Sequence, residues 1–161
     1  TFVLDFGKGS VAVLLAKTFI PALVIDFETQ KIFLSLAGVI VVCGHVFSVF
    51  LRFKGGKGIS TLFGVLAVLH VNIGICAAIV WLVMFFWKHI SSLSGITMLT
   101  ALPWLFLLIP WVKNESPVWP VFFLFLLLSS LLVYKHLENL KRLLKGQEGQ
   151  LSKSKNNDLH N

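Results

Sequence analysis

Acidic and thiol side chains are scarce in this 161-residue chain: it has 7 Asp and Glu residues and 2 Cys residues, against 14 Lys and Arg residues. Cys43 and Cys76 lie inside apolar stretches without basic neighbours, so we predict that both are packing residues and that no covalent thiol intermediate forms. No group of His and acidic residues has the spacing of metal ligands, so neither a metal nor a cofactor is predicted. The sequence contains no soluble domain that could read a nucleic acid, which is therefore not expected as a partner.

Apolar residues, in contrast, are abundant. They make up 57% of the chain, and the mean hydropathy of +0.87 exceeds what a soluble domain of this length can bury. The first apolar stretch contains Lys17 and has no small-residue cleavage site, so we predict that it spans the membrane and is not a signal peptide. The sequence therefore predicts an all-α, polytopic integral membrane helical bundle.

Hydropathy predicts about six membrane-spanning segments, some shorter than the roughly 20 residues of a usual crossing. They cover residues 9–25, 32–51, 59–69, 72–87, 96–110 and 118–134. Between the third and fourth segments, His70 and Asn72 favour a tight turn over one long helix. We predict a single transmembrane domain over residues 1–148 and a disordered cytoplasmic tail over residues 149–161.

The distribution of basic residues predicts the orientation of the bundle, since loops rich in Lys and Arg stay in the cytoplasm. With six segments, one set of ends has only Lys31 and Lys113. The opposite set has Lys8, Arg52, Lys54, Lys57, Lys88, Lys135, Lys141, Arg142 and Lys145. We therefore expect the Gly-Lys loop at residues 52–61 and the C-terminus to be cytoplasmic.

The Gly-Lys loop, with the sequence RFKGGKGIST, predicts an anion site at the membrane surface. Its glycines let backbone N–H groups approach an anion closely, its lysines supply positive charge, and hydroxyls follow at the start of the next helix. A nucleotide-binding P-loop is not indicated, because Lys57 is followed by Gly58 and no strand precedes the loop. The alternative interpretation is a flexible glycine turn whose lysines only mark the cytoplasmic side of the membrane.

Residues 134–148 predict a helix that continues out of the last span. Leu137 and Leu140 belong to an apolar stripe, and His136 and Asn139 share one border of it. Two interpretations are open. The helix is an amphipathic anchor at the interface, or His136 is a base or hydrogen-bond donor while Asn139 orients a substrate hydroxyl or phosphate.

These two segments together resemble the bacterial acyl-phosphate-dependent glycerol-3-phosphate acyltransferases of the PlsY type. Residues 44–61 read GHVFSVFLRFKGGKGIST, which is similar to the family block G-H-x-F-x-V-F-L-x-F-K-G-G-K-G. The C-terminal family motif is H-R-x-N-I-x-R-L-x-x-G-x-E; Leu137 replaces its arginine. The matching residues are His136, Asn139, Arg142, Leu143, Gly146 and Glu148. Residues 5–9 resemble the family's D-x-x-K-G, and residues 92–94 its Ser-Leu-Ser turn.

The resemblance implies transfer of a fatty acyl group from acyl phosphate to the 1-hydroxyl of glycerol 3-phosphate, which gives lysophosphatidate and phosphate. It implies a monomer in the bacterial inner membrane, in contact with membrane lipid, with its active face in the cytoplasm. The catalytic residues that it implies are His136, Asn139 and Glu148. The implied phosphate-binding residues are Lys54, Gly55, Gly56, Lys57, Gly58, Thr61 and Ser92. The proton acceptor is open between His136 and a phosphate oxygen of the donor.

The chain departs from the family pattern at its beginning. The family has seven spans and a Ser-Gly-Asn-rich loop before D-x-x-K-G, and neither the first span nor this loop is present before Asp5. We expect either a fragment of a working enzyme or a truncated protein. Two other hypotheses are a small membrane carrier of an organic anion, for which the intramembrane Lys17 would be suited, and a noncatalytic remnant.

Overall fold

The computed structural model describes residues 2–23, 26–52 and 55–145, and the regular elements in these ranges are all helical. They are α1 (Phe2–Leu23), α2 (Phe27–Val46), a short 3-10 helix (Val49–Leu51), α3 (Ile59–Leu69), α4 (Val71–Lys88), α5 (Ser91–Val112), α6 (Trp119–Lys135) and α7 (Leu137–Leu144). Each of the six predicted spans overlaps one of α1 to α6, although α1 and α5 begin earlier than predicted, at Phe2 and Ser91, and the predicted turn between α3 and α4 lies at His70. The all-helical prediction is confirmed.

The helices have the apolar composition of membrane spans. Among the described helices, α2, α4 and α5 are long and apolar enough to cross a membrane, while α3 and α6 are shorter apolar helices. Many large hydrophobic side chains on the outside of the bundle are exposed, Phe19, Ile40 and Phe86 among them. An apolar exterior of this kind is suited to lipid and not to water.

The segment between α2 and α3 lies at the end of the bundle where the candidate functional site is located. The span predicted for residues 32–51 is too long, because α2 ends at Val46 and the chain turns at Arg52 in a left-handed conformation, with φ of 49°. Gly58, with φ of 82°, then leads into α3; a side chain would be strained there. We call this end of the bundle, where α2 ends and α3 begins, the site end. Phe53 and Lys54 lie outside the described residues.

Helices α1 and α3 run parallel and pack closely because small residues face each other. A Cβ added to Gly9 would overlap the backbone carbonyl of Thr61, and one added to Gly64 would overlap that of Phe6. The Ser10 hydroxyl donates to the Gly64 carbonyl oxygen at 3.0 Å. These contacts hold the first two turns of α3 against α1.

We expect Gly64→Ala to destabilise the bundle by about 1–3 kcal/mol, because the added methyl group forces α1 away from α3. The matched control is Gly7→Ala, since nothing lies within 4 Å of a Cβ at that position of α1. Thermal unfolding of both variants in the same detergent measures the effect. Equal midpoints for the two variants would contradict the close packing of α1 on α3.

Helix α3 ends inside the bundle. It has 11 residues, and at about 1.5 Å per residue it covers only about half of a bilayer core. At its end, His70 Nε2 lies 3.3 Å from the Ser35 hydroxyl, and its ring meets Phe106 and Phe125 edge-on. The Lys17 ammonium donates to the Val68 carbonyl oxygen at 2.8 Å, in the last turn of α3, where carbonyl groups lack partners within the helix.

The C-terminal part differs from its prediction in one respect. The helix predicted to continue through residues 134–148 is broken, because α6 ends at Lys135 and α7 begins at Leu137. His136, at the junction, and Asn139 are both buried, so the border of the apolar stripe that they share faces the protein. The predicted tail, residues 149–161, lies outside the described residues.

Candidate active site

A cavity of about 1030 Å³ opens at the site end, and polar groups from several helices line it. The loop before α3 and the first turns of α1, α3, α5 and α7 all contribute, as do the last turn of α2 and the junction between α6 and α7. The polar lining consists of Asp5, His45, Gly56, Lys57, Gly58, Ser60, Ser91, Ser92, His136, Asn139 and Arg142. Segments that lie far apart in the sequence thus meet around one space.

The same cavity continues between α3 and α4 as an apolar groove. Its lining includes Phe6, Phe63, Ala67, Val71, Gly74, Ile75, Ala78, Trp81 and Leu82. Side chains from α4 recur every three or four residues, which places them on one face of that helix. The cavity therefore has a polar mouth and an apolar groove that extends toward the α3–α4 turn.

The Gly-Lys loop lies directly on the end of α2. A Cβ at Gly55 would overlap the carbonyl oxygen of His45, and one at Gly56 would overlap His45 Nε2. Glycine is therefore required at both positions by close approach. Lys57 and Gly58 line the cavity beside Gly56. The loop backbone is thus held where its N–H groups can face an anion.

His45 belongs to a cluster of three ionisable side chains at the polar mouth. The Lys8 ammonium donates to Asp5 Oδ1 at 2.6 Å and also contacts His45 Nδ1. His45 Nδ1 lies 3.7 Å from Asp5 Oδ1. The cluster connects α1 to the end of α2 and, through the His45 ring, to Gly56.

His136 has a defined tautomer in this geometry. Its Nδ1 lies 2.7 Å from the Leu132 carbonyl oxygen, which can only accept, so Nδ1 carries the proton. In the neutral ring, Nε2 is then the basic nitrogen. It lies on the side of Gly95, where a Cβ would be 3.7 Å away. His136 is 1% exposed, and its partner at Nδ1 keeps the ring in one orientation.

Asn139 lies one turn after His136 and is oriented by Arg142. Asn139 Oδ1 accepts a hydrogen bond from Arg142 Nη2 at 2.8 Å. Because the amide oxygen is occupied, the amide N–H groups of Asn139 are directed to other acceptors. Both side chains line the cavity, so the mouth presents a guanidinium and an amide donor beside His136.

The structure brings together most of the residues singled out in the sequence. The cavity lining contains Gly56, Lys57, Gly58, Ser92, His136 and Asn139. Gly55 packs against the His45 carbonyl oxygen at the end of α2 and so supports the loop. Thr61 is fully buried and is not part of the lining, whereas its neighbour Ser60 is. Lys54 and Glu148 lie outside the described residues.

Sequence reasoning matched Asp5 and Arg142 to family motifs but gave neither a role in the site, and it left the role of His45 undecided. The role of Arg142 could have been inferred from its spacing, since it lies three residues after Asn139 on the same helix face. Asp5 and His45 belong to different helices and carry no local signal of their contact.

The chemistry that this cavity can perform follows from its two parts. Its cationic mouth, rich in N–H donors, is suited to phosphate groups, and its groove is suited to an alkyl chain. Within the described part of the chain, no group of three or more His, Cys, Asp or Glu side chains could hold a metal ion.

Comparison with known proteins identifies relatives along nearly the whole chain. A family model described as "Glycerol-3-phosphate acyltransferase" matches residues 1–146. A glycerol-3-phosphate acyltransferase of Caulobacter vibrioides (strain NA1000 / CB15N) is 37% identical over 151 residues, which are 94% of this chain and 63% of the relative. One from Aquifex aeolicus is 38% identical over 149 residues, which are 91% of this chain and 70% of the relative. The chain thus spans less than two thirds of the Caulobacter protein.

Solved structures agree with these matches. The fold is similar to that of PlsY (YgiH), an integral membrane glycerol 3-phosphate acyltransferase, in its glycerol 3-phosphate form. The TM-score is 0.73 at 34% identity, and the similarity covers 93% of this chain and 68% of that one. For the lysophosphatidic acid form of PlsY the TM-score is 0.72 at 35% identity, with 92% and 69% covered. On the family match, the sequence identities and the shared fold, this chain belongs to the glycerol-3-phosphate acyltransferase family.

Proposed function

We propose that the chain carries out acyl transfer from acyl phosphate to the 1-hydroxyl of glycerol 3-phosphate, giving lysophosphatidate and inorganic phosphate. The observation that carries this proposal is the continuity of the cavity, which joins a cationic, N–H-rich mouth to an apolar groove. A phosphate-bearing acceptor and a fatty acyl donor fit these two parts. The family relatives named glycerol-3-phosphate acyltransferase support the same acceptor.

The lining of the cavity favours direct acyl transfer to the hydroxyl over an acyl thioester formed on the protein. Cys43 and Cys76 are both absent from the lining, so the described residues offer no thiol nucleophile there. Acyl phosphate is a mixed anhydride with a good leaving group. Its reaction chiefly requires that two phosphate groups and one hydroxyl be held in place, which is what the mouth is suited to do.

The proposed step balances without a cofactor. The glycerol 3-phosphate hydroxyl oxygen forms a bond to the acyl carbon, and the bond from that carbon to the phosphate oxygen breaks. The hydroxyl proton passes to His136 Nε2 or to the departing phosphate. Asn139, with its amide N–H groups directed away from Arg142, orients the hydroxyl or a phosphate. Glu148 is proposed as the third catalytic residue on the family motif alone.

The phosphate of glycerol 3-phosphate is proposed to bind at the Gly-Lys loop. The proposed residues are Lys54, Gly55, Gly56, Lys57, Gly58, Thr61 and Ser92. The strongest candidates are those that line the cavity, namely Gly56, Lys57, Gly58 and Ser92. Because Thr61 is buried, we propose that its hydroxyl supports the loop and does not contact the phosphate directly.

The apolar groove makes a separate prediction about the donor. Ala78 lines the groove and is small, so Ala78→Phe should fill the space that an acyl chain would occupy. We expect the KM for a long-chain acyl phosphate to rise about tenfold, equivalent to about 1.4 kcal/mol, while the KM for glycerol 3-phosphate changes little. Ile79→Phe is the control, because Ile79 is exposed on the outside of α4. Equal KM values for the two variants would exclude the groove as the acyl site.

The proposed function is tested by glycerol 3-phosphate-dependent release of inorganic phosphate from acyl phosphate in lipid nanodiscs. The chain is assayed as it stands and with a family first span and Ser-Gly-Asn-rich loop added at its N-terminus. Release in either form supports the proposal. No release from folded protein in both forms would favour the anion carrier or the noncatalytic remnant. We further propose that the site end lies in the cytoplasm, on the distribution of basic residues. A monomer in the bacterial inner membrane is proposed on the family resemblance alone.

A further inference from the structure

We infer that His45 is a phosphate-binding residue, and that Lys8 and Asp5 set its tautomer so that Nε2–H is a neutral hydrogen-bond donor at the Gly-Lys loop. The inference rests on the proposed function, because it concerns the phosphate of the same acceptor. It assigns a role to three residues of α1 and α2 that the reaction as described above does not use.

The position of the ring carries the first step of the argument. His45 lines the cavity together with Gly56, Lys57 and Gly58. Its Nε2 is the atom nearest to a Cβ built at Gly56, so this nitrogen lies against the loop that is proposed to hold the phosphate. The opposite nitrogen, Nδ1, faces α1. The two ring nitrogens therefore face different partners.

The partner of Nδ1 fixes where the proton lies. The Lys8 ammonium contacts Nδ1, and an ammonium group can only donate. Nδ1 must then be the acceptor, which leaves the proton on Nε2. A second proton on the ring would place an imidazolium directly against the Lys8 ammonium, which like-charge repulsion opposes. His45 thus presents a neutral N–H toward the loop.

Asp5 has two roles in this cluster. Its carboxylate accepts from Lys8 at 2.6 Å and so holds the ammonium beside the ring. It also lies 3.7 Å from Nδ1, longer than a hydrogen bond but close enough to form one after a small movement. If Lys8 were removed, the proton of the neutral ring would move to Nδ1, from which Asp5 would accept a hydrogen bond, and Nε2 would face the phosphate with a lone pair. Lys8 therefore protects the donor tautomer.

This geometry predicts that Lys8→Met weakens glycerol 3-phosphate binding, that Asp5→Ala opposes this effect, and that the two effects are not additive. Lys8→Met should weaken glycerol 3-phosphate binding by about tenfold or more, as expected when a hydrogen bond to a charged group is lost. Adding Asp5→Ala should recover most of the loss, because a ring without either partner can again place its proton on Nε2. His45→Leu should weaken binding by a similar factor, whereas His45→Gln, which retains an amide donor, should lie within about threefold of the unsubstituted chain.

Charge must be separated from tautomer, since Asp5→Ala also removes a negative charge near an anion. The matched control repeats Lys8→Met and the Lys8→Met/Asp5→Ala pair in a His45→Leu background. Leucine has neither a donor nor an acceptor, so recovery in that background measures charge alone. A recovery that is larger with histidine than with leucine at position 45 supports the inference. Equal recovery in the two backgrounds would overturn it.

Nitrogen-15 spectra of the histidine-labelled chain in nanodiscs supply a readout that does not depend on catalysis. We expect a pyridine-type Nδ1 and a pyrrole-type Nε2 for His45, the reverse assignment in Lys8→Met, and a shift of Nε2 when glycerol 3-phosphate is added. A protonated Nδ1 in the unsubstituted chain, or an Nε2 signal that does not move when glycerol 3-phosphate binds, would overturn the inference. Absence of acyl transfer from a chain that shows the predicted Nε2 shift would instead contradict the proposed function.

Discussion

Replacement of Gly56 by alanine is expected to raise the KM for glycerol 3-phosphate by about tenfold or more, which corresponds to a loss of about 1.4 kcal/mol or more in binding free energy. A methyl group at this position would overlap His45 Nε2 and lie 2.8 Å from Cε1 of the same ring. Either the loop or the ring must move. Both movements displace hydrogen-bond donors from the polar mouth, so the phosphate loses contacts whichever part yields.

The turnover number should respond much less than KM to Gly56→Ala. His136, at the junction between α6 and α7, and Asn139, on α7, are proposed to act on the hydroxyl, whereas the three atoms nearest to a Cβ at Gly56 all belong to the His45 ring. Saturating glycerol 3-phosphate should therefore restore most of the rate. Loss of turnover with an unchanged KM would contradict a phosphate-binding role for the loop.

Gly44→Ala is the control for this experiment. Gly44 lies on α2 one residue before His45, and nothing lies within 4 Å of a Cβ built there. Alanine is also a better helix former than glycine, so the variant should be at least as stable as the unsubstituted chain. A rise in KM with Gly44→Ala as large as that with Gly56→Ala would show that any substitution in this region weakens binding. It would contradict the explanation that Gly56 is required because the loop lies against the His45 ring.

The sequence was sufficient to predict most of the helices because membrane spans are marked by composition over many residues. The turn at His70 could also be predicted, since polar residues interrupt two apolar runs. The early end of α2 at Val46 could not, because residues 47–51 are apolar apart from Ser48 while the chain leaves the helix. Hydropathy reports burial in lipid or protein, and it does not distinguish a helix from an apolar loop.

The candidate site was predictable where its residues form a local pattern. The Gly-Lys loop and the pair His136 and Asn139 are each contained in a short segment, so spacing identified them. The cluster of Asp5, Lys8 and His45 was not predictable, because it depends on α1 packing beside the end of α2. The break between α6 and α7 was also missed, since the sequence there has helical propensity on both sides.

The second large effect is expected at His136. Replacement by asparagine should lower the turnover number by about 10²- to 10⁴-fold, the range typical of a lost general base. The asparagine amide can still donate to the Leu132 carbonyl oxygen in place of Nδ1, so the junction between α6 and α7 keeps its hydrogen bond. What the variant lacks is the basic Nε2. A turnover number near that of the unsubstituted chain would assign the proton to a phosphate oxygen of the donor.

Glutamine at position 136 separates a base from a hydrogen-bond acceptor. Its amide oxygen can reach the region of Nε2 and accept from the substrate hydroxyl, but it cannot take a proton at neutral pH. If His136 acts as a base, the glutamine and asparagine variants should be equally slow. If it only orients the hydroxyl, glutamine should recover part of the rate. Single-turnover measurements with acyl phosphate distinguish these outcomes from slow product release.

Substitutions of the two cavity histidines should therefore change different kinetic constants. The Leu132 carbonyl places the proton of His136 on Nδ1 and leaves Nε2 basic, whereas the Lys8 ammonium at Nδ1 of His45 leaves its Nε2 protonated, as proposed above. One ring accepts from the hydroxyl, and the other donates to the phosphate. Since they act on different substrate atoms, the change in KM from His45→Leu and the change in turnover from His136→Asn should combine additively in the double variant. A large departure from additivity would show that both rings act on one group, and the separation of roles would then be wrong.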